Sequence, residues 1–149
     1  TAAAPTSAEF KLAFQAAVAA ILAFKDDQGE PMGGTSESGL VVIVAPHMLF
    51  AAREALNATM LNNTSNVIAG AARVIAMPWL LSNATAWYLC KTDGIVRPLV
   101  FQDREPIEFT TLAENSEEEF KRERYLYGVR ARYALTYGYW QFCVRTNFT

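Results

Sequence analysis

Tyr125–Trp140 reads YLYGVRARYALTYGYW and holds five of the six tyrosines of the 149-residue chain. Every odd position from Tyr125 to Tyr139 is apolar or aromatic, whereas the even positions include Gly128, Arg130, Arg132, Thr136 and Gly138. Side chains alternate faces along a strand, so this pattern predicts a β-strand with one bulky wall and one partly polar wall. At about 3.3 Å per residue, such a strand spans roughly 50 Å, well beyond the usual ~20 Å. That length fits a structural protein or a strand pair crossing between domains, not a catalytic loop. After Tyr139 the apolar phase moves to Trp140, Phe142 and Val144, which predicts a bulge or bend near Gly138.

Upstream, Thr1 to Pro5 is a small-residue lead-in, and Thr6-Ser7-Ala8-Glu9 has the form of a capping box. Phe10, Phe14, Val18, Ile21 and Leu22 fall on one helical stripe, predicting a core-facing helix to about Lys25. Leu40–Ala45 (LVVIVA) is an uninterrupted β-branched run, expected to be a strand covered on both faces. Pro46 suits the first turn of a following helix, with Leu49, Ala52, Arg53, Leu56 and Met60 as its stripe up to Asn62-Asn63. Shorter extended segments follow at 73–77, 86–90, 99–102 and 107–112. Pro78, Ser82-Asn83, Asp93-Gly94 and Pro106 punctuate them, Asp93-Gly94 being a hairpin signal. Helix, strand, helix and then a run of strands is an α+β order: a mixed sheet with helices packed on it. The organisation expected is a linker or frayed end over 1–6, an α+β core over 7–115 and the long strand over 116–149.

Composition narrows the function classes. Hydrophobic residues make up 52% and charged residues 19%, which is globular and excludes wholesale disorder. A net charge of −2 and a pI near 5.4 argue against a partner held by phosphate contacts, so no sequence-specific nucleic acid is expected. The longest uncharged apolar run, 12–24, is too short for a bilayer and contains Gln15, so no membrane partner is expected. Cys90 and Cys143 lie among apolar neighbours and read as buried free thiols, outside any metal or redox spacing. The five sequons, at Asn57, Asn62, Asn63, Asn83 and Asn147, read as chance occurrences.

Sites for chemistry are scarce. His47 follows Pro46 at a helix start, and no Ser/His/Asp constellation surrounds it. Gly33–Gly39 (GGTSESG) lacks the closing Lys-Ser/Thr of a phosphate loop and precedes a strand, so it reads as a connector. Asp103, Glu105 and Glu108 around Arg104 are placed on a turn beside Pro106, where salt-bridged loop or interface charges are expected. Arg130 and Arg132 share the polar ribbon face, suited to pairing with acidic residues of a neighbouring strand or subunit. No metal-ligand spacing occurs, and no catalytic, cofactor or metal residue is assigned. Trp79, Trp87 and Trp140 read as core or interface anchors.

Several segments resemble one family. Arg97–Phe109 (RPLVFQDREPIEF) is similar to a segment of Mu-like phage and prophage major head subunits, in which an "IFQ-x-R" strand leads into a Pro and an "EF" pair. Tyr125–Arg132 and Tyr137-Gly138-Tyr139-Trp140-Gln141 resemble that family's closing signature. Phe24-Lys25-Asp26-Asp27, Gly29, Pro31-Met32 and a strand ending in Ala45-Pro46 match in order and spacing. Tyr133 departs from the pattern, following Arg132 where relatives commonly carry glycine. The similarity runs from about Ser7 to Phe142.

The resemblance implies the Hong Kong 97-type capsid fold. It implies the C-terminal half of a subunit: the axial domain with returning strands of the peripheral domain, without the N-terminal arm, extended loop and spine helix. The implied function is structural: self-assembly into an icosahedral phage or prophage shell around DNA, with no enzymatic step and no cofactor. Partners would be further copies in hexamers and pentamers, with scaffold and portal proteins. The implied location is the virion capsid, after synthesis in the bacterial host cytoplasm. Subunit-interface residues expected are Asp103, Arg104, Glu105, Glu108, Glu117, Glu118, Glu119, Arg130 and Arg132. The aromatic wall of Tyr125–Trp140 is then expected to belong to the core. A second class fits the same α+β reading: a small ligand- or cargo-binding module with unpaired aromatics such as Trp79 and Trp87.

Overall fold

A computed structural model describes residues 5–32, 34, 39–61, 63–112, 120–121 and 125–148. The lead-in Thr1–Ala4, most of the Gly33–Gly39 connector and the acidic run Glu117–Glu119 lie outside them. The chain divides into two units, Thr1–Pro98 with Gly138–Thr149, and Leu99–Tyr137.

The first unit opens with α1, Ser7–Ala23. Its capping box forms: Thr6 Oγ1 accepts from the Glu9 N–H at 3.3 Å, and Glu9 Oε2 accepts from the Thr6 N–H at 2.8 Å. Two backbone donors that no helical carbonyl can reach are thereby satisfied. The buried stripe is Phe10, Phe14, Ala17 and Ile21. Leu22, expected on that stripe, turns out to solvent, and the helix stops two residues before Lys25.

Strand β1, Leu40–Val44, buries Leu40, Val42 and Val44, while Val41 and Ile43 are half-buried. The expectation of two fully covered faces is corrected to one buried face, because both helices pack on the same side. A 3-10 turn at Pro46–Met48 leads into α2, Leu49–Asn57. Ala52, Ala55 and Leu56 bury its inner face. Met60, assigned to this helix by spacing, is instead exposed in β2 (Met60–Leu61), which pairs antiparallel with β3 (Thr64–Ser65). The helix ends early because Asn66 supplies the cap. Its buried Nδ2 donates to the carbonyls of Ala55 (2.8 Å) and Ala58 (2.9 Å), which lack helical donors.

Three more strands complete the sheet: β4 (Arg73–Ala76), β5 (Ala86–Lys91) and, after the second unit, β8 (Cys143–Asn147). The order is β4-β1-β5-β8, with β1–β4 parallel and the other two pairs antiparallel. This is the mixed sheet with two helices that the α+β reading expects. Phe10, Phe14, Val42, Val44, Leu56, Trp87 and Leu89 form one apolar core between the helices and one sheet face. Phe10 and Trp87 stack obliquely with ring centroids 5.0 Å apart.

The Asp93-Gly94 hairpin does not form. Strand β5 is already paired on both edges, by β1 and β8, so the segment after it has no free edge to fold back on. The chain runs on to Pro98 and returns at Gly138, whose N–H donates to the Pro98 carbonyl at 3.0 Å. A Cβ at Gly138 would run into the Arg97 carbonyl oxygen, so this close approach needs glycine.

The second unit is a two-stranded antiparallel ribbon of β6, Leu99–Leu112, and β7, Leu126–Tyr137. Strand β7 ends at Tyr137, with a 3-10 turn at Trp140–Phe142 before β8, so the chain does break at Gly138 as the phase change predicts. Strand β6 corrects the reading of two short segments around a Pro106 turn. It is continuous, with register irregularities between Asp103 and Glu105 and between Glu105 and Glu108. Pro106 sits in the second irregularity, where a strand tolerates a residue that cannot donate.

Candidate assembly interface

Register decides what each ribbon face carries. On one face Leu99, Phe101 and Phe109 lie opposite Tyr137, Leu135 and Val129. On the other, Val100, Gln102, Glu105 and Glu108 lie opposite Thr136, Ala134, Arg132 and Arg130. Glu105 and Glu108 are three residues apart, which in a regular strand puts them on opposite faces. The extra residue at Pro106 brings them back to one face.

The result is a charged ladder. Arg130 Nη2 donates to Glu108 Oε2 at 3.1 Å, and Arg130 Nε lies 3.6 Å from Glu105 Oε2. Arg132 Nη1 lies 3.9 Å from Glu105 Oε1. These side chains are 43–72% exposed, so each pair contributes at most about 1 kcal/mol and mainly pins register. Arg104 turns aside to donate from Nε to Gln102 Oε1 at 3.1 Å. Asp103 faces Tyr133 across the strands and is not part of the ladder. Glu105, Glu108, Arg130 and Arg132 therefore converge, Asp103 and Arg104 stand apart, and Glu117, Glu118 and Glu119 lie outside the described residues.

The opposite face overturns the expectation that the aromatic wall belongs to the core. Tyr127, Tyr133, Leu135 and Tyr137 are 63–79% exposed, and Phe101 and Phe109 across from them are 59% and 75% exposed. Phe101 and Tyr133 are in ring contact at 5.7 Å and leave their outer faces open. A two-stranded ribbon has only two layers of side chain, and among the described residues these side chains remain exposed. Alternation showed that these residues share a face, but it carries no information on what covers that face. The wall, missed as a site in the sequence, is a run of exposed large apolar side chains on one ribbon face, and a contiguous exposed apolar face marks an interaction site.

The other residues considered for chemistry scatter. His47 is exposed on the turn before α2. Trp87 is wholly buried against Phe10 and Phe148, whereas Trp79 is 86% exposed, so the two tryptophans do not pair. Cys90 is buried and Cys143 half-buried, both free thiols, with their sulfurs in contact at 3.1 Å. No group of three or more potential metal ligands occurs among the described residues. No described helix is long and apolar enough to cross a membrane.

Among known proteins the chain is similar to structural subunits of phage heads. The profile described as Mu-like prophage major head subunit gpT matches residues 6–80 and 81–149, and the chain belongs to that family. It is 33% identical over 64 residues to the Mu-like prophage FluMu major head subunit of Haemophilus influenzae, covering 41% of this chain and 20% of the relative. A chain of the bacteriophage JBD30 procapsid is 25% identical with a TM-score of 0.36, covering 92% of this chain and 39% of that one. The chain thus matches well under half the length of either relative.

Proposed function

We propose that this chain is a shell-forming part of a phage or prophage head subunit, of the Hong Kong 97-type fold, and that it acts by packing against copies of itself. The observation that carries this reading is the exposed aromatic and aliphatic wall of the ribbon, in a chain that belongs to a major head subunit family. Covering a wall of Tyr127, Tyr133, Leu135, Tyr137, Phe101 and Phe109 lowers the free energy by about 25 cal/mol per Å² of apolar area removed from water. Head-to-tail packing around closed rotation axes covers such a surface once per subunit, which is how hexamers and pentamers grow into a shell.

In this reading the sheet unit belongs to the axial domain and the long strands to the peripheral domain. The Glu105–Glu108–Arg130–Arg132 face, with Asp103, Arg104 and Glu117–Glu119, provides the polar contacts. The work is structural, with no catalytic step, and the product encloses DNA without reading its sequence. Scaffold and portal proteins are the proposed further partners, and the virion capsid, built in the host cytoplasm, is the proposed location. Negative-stain imaging and sedimentation of the full-length gene product test the proposal. Closed shells or rings of five and six are expected, and monomers under every salt, pH and crowding condition tried would overturn it.

A further inference from the structure

The two cysteines stand 53 positions apart in sequence, yet they are paired directly across β5 and β8. We propose that Cys90 and Cys143 are a redox-convertible pair, thiols in the reduced chain and a cross-strand disulfide once a small-molecule disulfide is supplied. Directly opposed residues of an antiparallel pair have Cα atoms about 4.5–5.5 Å apart, inside the roughly 4.4–6.8 Å window of disulfides. The sulfurs already touch at 3.1 Å, so the bond needs side-chain rotation and no backbone movement. By register the pair shares a sheet face with Val41, opposite the face of Val42 and Leu89, so the bond does not disturb the core under the helices.

The two thiols are not equivalent. Cys90 is 4% exposed and Cys143 half-buried, which makes Cys143 the sulfur a reagent meets first. The contact between them pushes Cys90 far up, with burial adding to it, and the same contact lowers Cys143 by stabilising its thiolate. The Cys143 thiolate therefore attacks a sulfur of oxidised glutathione, forms a mixed disulfide and expels one glutathione thiolate. Cys90 then gives up its proton to solvent and attacks the Cys143 sulfur, expelling the second glutathione thiolate. Two protein thiols lose two electrons, and one glutathione disulfide gains them as two thiols.

The bond has a mechanical consequence. Strand β8 is an edge strand with β5 as its single neighbour in the sheet. The span between the cysteines contains the whole Leu99–Tyr137 unit, so a disulfide locks both ends of that excursion to one rung of the sheet. Reducing cytosol keeps the pair open, and an oxidising medium closes it.

The test incubates the full chain in a series of oxidised-to-reduced glutathione ratios, followed by acid quench, maleimide labelling and intact mass. The expected product is monomeric, lighter than the reduced chain by two hydrogens and unlabelled, with one linked peptide pair joining Cys90 to Cys143. Oxidation is expected to raise the folding equilibrium constant by about 30-fold or more in reversible urea titrations. Cys90→Ser is expected to stop at a glutathione adduct on Cys143. Two labelled thiols at every ratio, a persistent adduct on the wild-type chain or disulfide-linked dimers would each overturn the proposal. The wild-type mass measurement decides it even where a serine variant fails to fold.

Discussion

Arg130 reaches Glu108 at 3.1 Å because β6 carries one more residue than β7 between the Glu105–Arg132 and Glu108–Arg130 rungs. Pro106 sits at that insertion, so the residue that looked like a strand breaker is what aligns two glutamates with two arginines. A double-mutant cycle with Glu108→Gln and Arg130→Gln is expected to give a coupling of about 0.3–1 kcal/mol at low salt. At 1 M salt, where the screening length falls to about 3 Å, the coupling should vanish. A coupling that persists at high salt would mean the pair is more desolvated than its exposed side chains indicate.

Gly138 is glycine for lack of space, not for an unusual backbone angle. Among the described residues positive φ values belong to Gly29, Gly70 and Asn63 and not to Gly138, where a Cβ would collide with the Arg97 carbonyl. Gly138→Ala is expected to cost about 1–3 kcal/mol in urea unfolding. Gly34→Ala, where nothing lies within 4 Å of the added carbon, should change stability by less than about 0.5 kcal/mol. Equal effects at both sites would remove the steric explanation.

Asn66 is a buried polar residue whose amide closes the end of α2 on the carbonyls of Ala55 and Ala58, while Lys11 Nζ reaches its Oδ1 at 3.3 Å. Asn66→Ala strands two carbonyls in apolar surroundings and should cost about 1–3 kcal/mol, read from thermal or urea denaturation. Asn66→Asp replaces a donor with an acceptor facing carbonyls and should be at least as damaging.

The capping box makes α1 sensitive to acid. Hydrogen bonds from the Thr6 backbone N–H and then its hydroxyl hold the Glu9 carboxyl below its ordinary 4.5. A folded value below the unfolded one means the contribution is fully present above the unfolded value and fades as pH falls through the folded one. Thr6→Ala should cost about 1 kcal/mol at pH 7. Thr6→Ala keeps the backbone N–H that binds Glu9 and should retain part of the acid sensitivity. In Glu9→Gln the low-pH fall in helical circular dichroism attributable to Glu9 should disappear, and an unchanged acid profile there would count against the assignment.

Legibility followed the range of the interaction. The capping box at Thr6, the β-branched run at Leu40–Val44 and the phase change at Gly138 are local signals, and each produced the element expected of it. Asp93-Gly94 failed as a hairpin because the edges of β5 were taken by strands distant in sequence. The Pro106 bulge and the Cys90–Cys143 contact likewise depend on pairing register, which no window of sequence contains. The tyrosine wall was visible as a face, but whether a face is core or interface depends on a partner that alternation does not describe.

That wall separates stability from assembly. Tyr133 and Leu135 are 63% and 73% exposed, so changing them removes little that the chain itself has buried. Tyr133→Ser and Leu135→Lys should each shift the unfolding free energy of the isolated chain by no more than about 0.5 kcal/mol. In an interface, an aromatic anchor of this kind costs about 2 kcal/mol or more when removed, roughly a thirtyfold loss in association. The double variant of the full-length subunit should therefore melt like the wild type yet sediment as monomers where the wild type assembles. A lower melting temperature with assembly intact would place the wall in the subunit's own core instead. Because each variant is scored by both melting and sedimentation, that outcome cannot be confused with a general loss of folding.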